Sequence, residues 1–250
     1  MSLRPASSRE ILIAAIADLL TGVRTVAVGA SSPIPAAGAM LLRARNETRG
    51  RMRVRIAVLG SREHNFFTNG AFELFDCAAQ GRIDAFFLGG GQIDGQANIN
   101  LVGTGDYPRT EVRWPGSFGS AFLYYAVPRV ILFREEHSRR VLVDKVDFVS
   151  APGTSEGIVR TGGPYALLTG LALFDFDKER KRFRLRSVHR GATSAEVKAN
   201  TGFDYDAPTS PPITVEPDAE TLALLRGRVR QELAETYPQF AASLVVETEA

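Results

Sequence analysis

The spacing of apolar residues predicts short buried strands that alternate with helices. Four short runs rich in β-branched or aliphatic residues predict strands: Thr25–Val28, Val54–Leu59, Ile83–Leu88 and Val130–Phe133. Helical spacing or cap signals predict five helices: Arg9–Leu20, Ala36–Arg45, Ala121–Val127, Ala195–Lys198 and Asp218–Leu233. Either Ser7 or Ser8 can cap the first of them. Because strand and helix patterns alternate, the sequence predicts an α/β fold with a mostly parallel open sheet and helices on both faces.

Two further runs predict an accessory β-hairpin. Leu171–Phe176 and Arg182–Val188 flank a polar turn over residues 177–181. The segment Asn46–Arg53 reads as a charged turn. Phe66–Cys77 mixes aromatic and polar residues, which fits either a substrate-facing wall or ordinary core packing. We interpret residues 1–250 as a single domain.

Composition and charge exclude several classes of protein. The chain has 250 residues, of which 44% are hydrophobic and 23% charged, and its net charge of +2 is too small to indicate a nucleic-acid-binding protein. No apolar run reaches the length of about 18 residues that a membrane span needs. The single cysteine, Cys77, excludes an intramolecular disulfide. Met1–Glu10 is polar and lacks the apolar core of a signal peptide, so we expect a cytoplasmic protein.

The histidines do not form a metal-ligand pattern. They stand apart at positions 64, 137 and 189. His137 lies among arginines and glutamates, which predicts a solvated side chain, and His189 is expected at a sheet edge. No G-x-G-x-x-G motif opens a helix after a strand. We therefore expect no metal and no flavin or nicotinamide cofactor.

A glycine-rich stretch from Phe86 to Gly119 follows the third predicted strand. Consecutive glycines let the backbone approach a ligand closely, and polar groups beyond the carboxyl end of a strand lie where open α/β sheets bind ligands. The same glycines also fit tight connections that bind nothing, and this alternative stays open. The candidate ligand-binding residues in this stretch are Gly90, Gly91, Gln92, Asp94, Asn98, Gly116, Ser117 and Gly119. Ser117 lacks the context of a nucleophile elbow, since its sequence is GSFG rather than G-x-S-x-G.

Five motifs in a fixed order resemble a known family. They are GGGQID, GQANIN, GTGDYPRTEVRWPGSFG, VDKVDFVSAPG at Val143–Gly153 and NTGFDYD at Asn200–Asp206. Together they resemble the β subunits of class I CoA transferases, in the glutaconate CoA-transferase branch. Within that family the chain most resembles the β subunits of actinobacterial CoA-transferase-like hydrolases, which open the last steroid ring in cholesterol degradation. The resemblance extends from about Glu10 to Glu235.

The resemblance implies a two-subunit enzyme that acts on an acyl-CoA. It implies a homologous α subunit and an α2β2 heterotetramer. The active site would lie at the subunit interface, with the glycine-rich loop beside it. Coenzyme A would be present only as part of the substrate. Transferases of this family carry a catalytic glutamate at the end of the strand Val54–Leu59, where this chain has Leu59. Leucine has no nucleophilic atom, and Glu63 could serve only if the loop is remodelled. We include Leu59 among the expected substrate-binding residues.

Three functions follow as hypotheses. The first is a subunit of a C–C bond hydrolase that opens a steroid-derived cyclohexenone acyl-CoA, with the base supplied by a glutamate of the α subunit. The second is an acyl-CoA:carboxylate CoA-transferase that uses Glu63 to form a glutamyl-CoA thioester. The third is a non-catalytic scaffold subunit. The arginines at 182, 184 and 186 alternate with apolar residues, and they either form a solvated strand face or contact CoA phosphates.

Overall fold

A computed structural model describes residues 4–246 and contains one large sheet flanked by helices. The helices are α1 Ser8–Leu19, α2 Pro33–Thr48, α3 Gly70–Ala79, α4 Ser120–Ala126, α5 Ser194–Asn200, α6 Ala219–Leu224, α7 Arg230–Ala234 and α8 Pro238–Val246, with a π-helical turn at Leu225–Val229. The strands are β1 Thr25–Val28, β2 Arg55–Val58, β3 Ala85–Leu88, β4 Gln92–Ile93, β5 Ile99–Asn100, β6 Gly103–Thr104, β7 Val112–Arg113, β8 Arg129–Arg134, β9 Pro164–Thr169, β10 Ala172–Asp177 and β11 Arg182–Val188. No helix within residues 4–246 is long and apolar enough to cross a membrane.

Seven strands form a mostly parallel sheet with the order β11-β10-β9-β8-β3-β1-β2. β1 pairs in parallel with β2 and β3, and β8 pairs in parallel with β9, whereas β10 is antiparallel to both of its neighbours. The predicted α/β class is therefore confirmed. The predicted hairpin β10–β11 exists, but it continues the main sheet as its antiparallel edge. The pairs β4–β5 and β6–β7 form two small antiparallel sheets.

The chain divides into two compact units. The first comprises residues 4–74, Arg82–Ala85 and residues 215–246, and the second comprises Phe75–Gly81 and Phe86–Thr214. The interpretation of residues 1–250 as a single domain stays a prediction.

In the first unit, α1 begins at a capping box. The Ser7 hydroxyl accepts a hydrogen bond from the Glu10 amide, and the Glu10 carboxylate accepts one from the Ser7 amide. Glu10 is fully buried and also accepts two hydrogen bonds from Arg226, at 2.6 and 2.9 Å. Arg226 lies in the π-helical turn, a local widening of the helix. This ion pair thus connects the start of α1 with the π-helical turn between α6 and α7.

In the second unit, two histidines are buried, which corrects the prediction of a solvated His137. His137 is only 9% exposed, and its ring nitrogens lie 2.7 Å from the Thr169 hydroxyl and 3.0 Å from the Thr201 hydroxyl. His189 follows the edge strand, but it is 5% exposed and hydrogen-bonded to the Thr214 hydroxyl and the Thr169 carbonyl. Both rings complete a buried polar network, so neither is solvated.

Several element boundaries differ from the predictions for local reasons. α2 begins at Pro33, because proline is tolerated in the first turn of a helix, and extends into the predicted charged turn to Thr48. Ser32 precedes this helix, but its hydroxyl donates to the Ala30 carbonyl instead of capping it. The mixed segment around Phe66–Cys77 contains the helix α3, and α8 follows the predicted final helix.

Candidate functional site

The turn between β4 and β5 is built around the Asp94 carboxylate. Asp94 is 5% exposed, and one of its oxygens accepts hydrogen bonds of 3.0 Å from the amides of Gln96 and Asn98. The other oxygen accepts a 3.0 Å hydrogen bond from the Asn98 side chain. The Asn98 side-chain oxygen in turn accepts a hydrogen bond from the Gly153 amide at 3.1 Å. Asp94 therefore orders its own loop and, through Asn98, connects it to the segment around Gly153.

A buried amide pair continues this order into the next loop. The Gln92 side-chain oxygen accepts hydrogen bonds from the Asn100 side chain at 2.7 Å and from the Asp147 amide at 3.0 Å. Asn100 is fully buried, and it also donates to the Gly103 carbonyl at 2.7 Å and accepts from the Val102 amide at 2.9 Å. Asn100 is the last residue of the motif GQANIN but was not a predicted site residue. An apolar side chain at this position would leave the buried Val102 amide and Gly103 carbonyl without these hydrogen bonds.

The loops pack so closely at several glycines that no side chain would fit there. A Cβ on Gly91 would lie 2.2 Å from the Trp114 ring, and a Cβ on Gly116 would lie 2.8 Å from the Leu101 carbonyl oxygen. The Trp114 ring therefore packs directly on Gly91. Gly90 is similarly restricted, since its Cβ would lie 2.6 Å from the Gln92 carbonyl oxygen. The structure thus brings the two glycine-rich parts of the stretch together, at Gly90–Asn98 and Trp114–Gly119.

The segment that leads into α4 has an unusual backbone. Ser117 has φ +87° and Gly119 has φ +69°, both in the left-handed region that residues with side chains rarely adopt. A Cβ at Gly119 would lie 2.3 Å from the Phe75 ring, so only glycine fits this position. The ring of Phe75 lies 5.6 Å from that of Phe118, which is 81% exposed. This segment therefore presents a strained serine and an exposed aromatic ring beside the glycine-rich loops.

A tyrosine and an arginine that were not predicted as site residues hold these loops. The Tyr124 hydroxyl donates to the Ala97 carbonyl at 2.9 Å, and burial raises the pKa of this fully buried phenol well above its ordinary value. Arg160 lies over the Tyr124 ring and donates to the carbonyls of Pro152 and Tyr124, at 2.8 and 2.9 Å. Arg160 thereby anchors the loop that precedes β9.

In the first unit, Leu59 lies directly beyond β2. It is half-buried, and its amide donates to the Val28 carbonyl at 2.9 Å. The loop that follows is held by Glu235, which accepts hydrogen bonds from the Ser61 hydroxyl at 2.6 Å and the Arg62 amide at 2.9 Å. Glu63 lies on this loop and is exposed. The structure thus places an apolar side chain at the strand end and the alternative carboxylate four residues beyond it.

The residues predicted to bind substrate fall into two groups. Gly90, Gly91, Gln92, Asp94, Asn98, Gly116, Ser117 and Gly119 belong to the second unit, and Leu59 belongs to the first. Contact of any of them with substrate stays a prediction. Among residues 4–246, no group of three or more histidine, cysteine or acidic side chains is arranged to hold a metal ion.

Three curated relatives are named as enzyme subunits. The B subunit of a 3-oxoadipate CoA-transferase from Pseudomonas knackmussii is 35% identical over 130 residues, 49% of this chain and 50% of the relative. The B subunit of the glutaconate CoA-transferase from Acidaminococcus fermentans is 31% identical over 152 residues, 57% and 56% of the two chains. The cholesterol ring-cleaving hydrolase IpdB subunit of Rhodococcus jostii is 30% identical over 159 residues, 62% of each. The matches cover between half and about three fifths of these relatives.

Solved structures have the same fold at low sequence identity. The decarboxylase AibA/AibB matches with a TM-score of 0.76 and 21% identity, over 95% of this chain and 98% of that chain. The IpdAB structure of Rhodococcus jostii RHA1 matches with a TM-score of 0.75 and 23% identity, over 89% and 94%. The family model for coenzyme A transferase matches residues 9–200, which include the β1–β11 sheet and the glycine-rich loops. The chain therefore belongs to the coenzyme A transferase family.

Proposed function

We propose that this chain is the β subunit of a heteromeric enzyme that acts on an acyl-CoA. Membership of the coenzyme A transferase family supports this proposal, as do three relatives that are each named as one subunit of an enzyme. Exposed apolar side chains in the second unit supply a surface for a homologous α subunit: Phe118, Phe122, Tyr125, Ile158 and Val159. We infer an α2β2 assembly, and we expect activity only after the two purified subunits are mixed.

The reaction that Leu59 supports best is hydrolytic C–C bond cleavage. A ping-pong transferase passes through a thioester on a carboxylate, and the residue directly beyond β2 is a leucine instead. An apolar side chain there can pack against a ring system, but it cannot act as a nucleophile. The relationship to the IpdB subunit points to the same chemistry. We therefore infer that the substrate is a steroid-derived cyclohexenone acyl-CoA whose last ring is opened.

The proposed reaction needs a base, a water molecule and a stabilised oxyanion. A glutamate of the α subunit removes a proton from water, which adds to the ring carbonyl carbon. As the oxyanion collapses to a carboxylic acid, the adjacent C–C bond breaks and its electron pair is held by the neighbouring carbonyl as an enolate. The protonated glutamate then returns its proton to the enolate carbon, which completes the ring-opened product. Backbone amides of the glycine-rich loops around Gly90 and Gly116 are suited to hold the oxyanion, because preorganised N–H groups stabilise developing negative charge.

A covalent-trapping experiment tests this proposal. The αβ complex is incubated with acyl-CoA in the presence of hydroxylamine or borohydride, and the mass of this chain is measured. We expect one water taken up per turnover, a ring-opened product and an unmodified chain. Glu63→Gln should turn over substrate at the wild-type rate.

CoA transfer is the second candidate, because two relatives are named as transferases and Glu63 is exposed on the loop after β2. A CoA-mass adduct or reduced product at Glu63, lost in Glu63→Gln, would establish it instead.

The scaffold hypothesis predicts a third result. In that case turnover survives substitution of Gln92, Asp94 and Ser117.

A further inference from the structure

A charged cleft in the second unit lies against the outer face of the edge hairpin. Its volume is about 720 Å³, and its lining includes Asp175, Arg180, Arg184, Arg186, Tyr205 and Asp206. The side chains at 184 and 186 share one face of β11, because successive side chains of a strand alternate and residues i and i+2 stand roughly 7 Å apart. The cleft is therefore bordered by the guanidinium groups of two arginines on the same face of β11.

The arginines outnumber the carboxylates that contact them. Asp175 contacts both Arg184, at 3.6 Å, and Arg186, at 3.4 Å. Asp206 likewise contacts both Arg180 and Arg182, the latter at 3.3 Å. Two negative charges thus face four positive ones.

The long contacts at Asp175 leave hydrogen-bonding capacity on its two arginines. Each guanidinium has five N–H donors, and the side chains of Arg184 and Arg186 are 64% and 50% exposed. A surface carboxylate shared by two arginines at 3.4 Å or more stabilises the fold little, since exposed ion pairs contribute about 0–1 kcal/mol. The same arrangement leaves N–H groups of both arginines available to a stronger acceptor that enters from solvent.

We propose that this cleft binds a phosphate-bearing small anion, with Arg184 and Arg186 as its principal ligands. Guanidinium groups bind phosphate oxygens through paired hydrogen bonds, and two arginines whose strand positions lie about 7 Å apart can both reach one short phosphate chain. Asp175, on the neighbouring strand, contacts both side chains when the anion is absent. The phosphate can belong to the CoA portion of a substrate or to a free phosphorylated metabolite. The site does not depend on the reaction proposed above.

Calorimetric titration of the full-length chain at low ionic strength tests the proposal, with inorganic pyrophosphate and coenzyme A as probes. Arg184→Gln and Arg186→Gln should each weaken binding by at least about tenfold. Asp175→Asn should tighten binding, because it removes the competing carboxylate and leaves both arginines in place. Lys178→Gln serves as the matched control, since this exposed cation lies in the same hairpin turn and does not line the cleft. Thermal melts of every variant verify folding.

The opposite signs of the arginine and aspartate variants separate binding from a purely structural role. If Arg184 and Arg186 act only as a solvated strand face, neither probe binds, or binding is the same in all four variants, and the proposal is overturned. The source of the phosphate is identified with the αβ complex. A raised KM for acyl-CoA with unchanged kcat in the arginine variants identifies the CoA portion. Loss of pyrophosphate binding with an unchanged KM identifies a free phosphorylated ligand.

Discussion

The carboxylate of Glu235, which follows α7, accepts a 2.6 Å hydrogen bond from the Ser61 hydroxyl in the loop after β2. It also accepts hydrogen bonds from the Arg62 amide and the Thr236 hydroxyl. Burial raises the pKa of Glu235, but these hydrogen bonds and the nearby His64 outweigh it and lower the pKa to about 2. The loop that carries Glu63 and follows Leu59 is therefore fixed by an ionised carboxylate from the C-terminal region.

Glu235→Gln should loosen this loop. The amide offers one acceptor oxygen in place of two charged ones, so we expect a loss of about 1–2 kcal/mol in the free energy of unfolding. Turnover by the αβ complex should also fall. Denaturant unfolding and steady-state kinetics measure the two effects. Glu220→Gln, at an exposed position of the same unit, is the control.

A double-mutant cycle with Ser61→Ala shows whether Glu235 acts through Ser61. Coupled residues give a double variant less damaged than the sum of the single ones. Additive losses would contradict the pairing.

Since the pKa of Glu235 in the folded protein lies below the ordinary value of 4.5, its contribution to the free energy of unfolding is present above about pH 4.5 and is lost as the pH falls toward 2.

Asp94 should matter for activity because it orders the turn between β4 and β5. Asp94→Ala removes the acceptor of three hydrogen bonds from Gln96 and Asn98, and we expect kcat/KM to fall at least tenfold, or ~1.4 kcal/mol. Asp94→Asn keeps one acceptor oxygen and should lose less. Asp106→Ala, at an exposed position in the same unit, should leave kcat/KM unchanged. Wild-type kinetics in Asp94→Ala would favour a plain turn with no role in catalysis.

The sequence predicted those features whose cause is local. A serine cap was predicted for α1, at Ser7 or Ser8, and Ser7 is the cap. The short runs at β1, β2, β3 and β8 carry the apolar pattern of buried strands. These elements could be identified because the residues that determine them are neighbours in the sequence. Asp94 and Asn98 were identified as candidate ligand-binding residues, but the hydrogen bonds that join them within one turn were not predicted.

Apart from the element boundaries, the features that the sequence did not predict concern residues whose partners are distant in the sequence. His137 stands among arginines and glutamates, yet its hydroxyl partners are 32 and 64 residues away, at Thr169 and Thr201. The Ser61–Glu235 hydrogen bond joins residues 174 positions apart. No local pattern indicates such pairings, because only the folded sheet brings these side chains together.

Metal removal should leave the enzyme active. The proposed reaction uses a carboxylate base and backbone amides, and the sequence shows no metal-ligand spacing. The αβ complex should therefore retain its full rate after dialysis against EDTA, and added Mg²⁺, Zn²⁺ or Mn²⁺ should not increase it. Loss of activity that one particular metal restores would show that the proposed chemistry is incomplete.

The stability of the second unit should fall in mild acid because of its buried histidines. Burial lowers the pKa of His137 to about 4, and it also lowers the pKa of His189. In the unfolded chain both rings titrate near the ordinary value of about 6.5. Between these values the unfolded chain binds protons that the folded chain does not, so stability decreases as the pH falls from about 6.5 to 4. For His137 the upper limit of the loss is about 3 kcal/mol.

His137→Gln tests this pH dependence. The substitution removes the titrating group, and the glutamine amide can still hydrogen-bond to a threonine hydroxyl. We expect the variant to be less stable than the wild type at pH 7, because the ring no longer fills its buried site. Its free energy of unfolding should nevertheless change less between pH 7 and pH 5. Carboxylates elsewhere contribute equally to both proteins, so the difference between the two pH profiles isolates His137. Parallel profiles, measured by denaturant unfolding with circular dichroism, would show that the buried ring does not control acid stability.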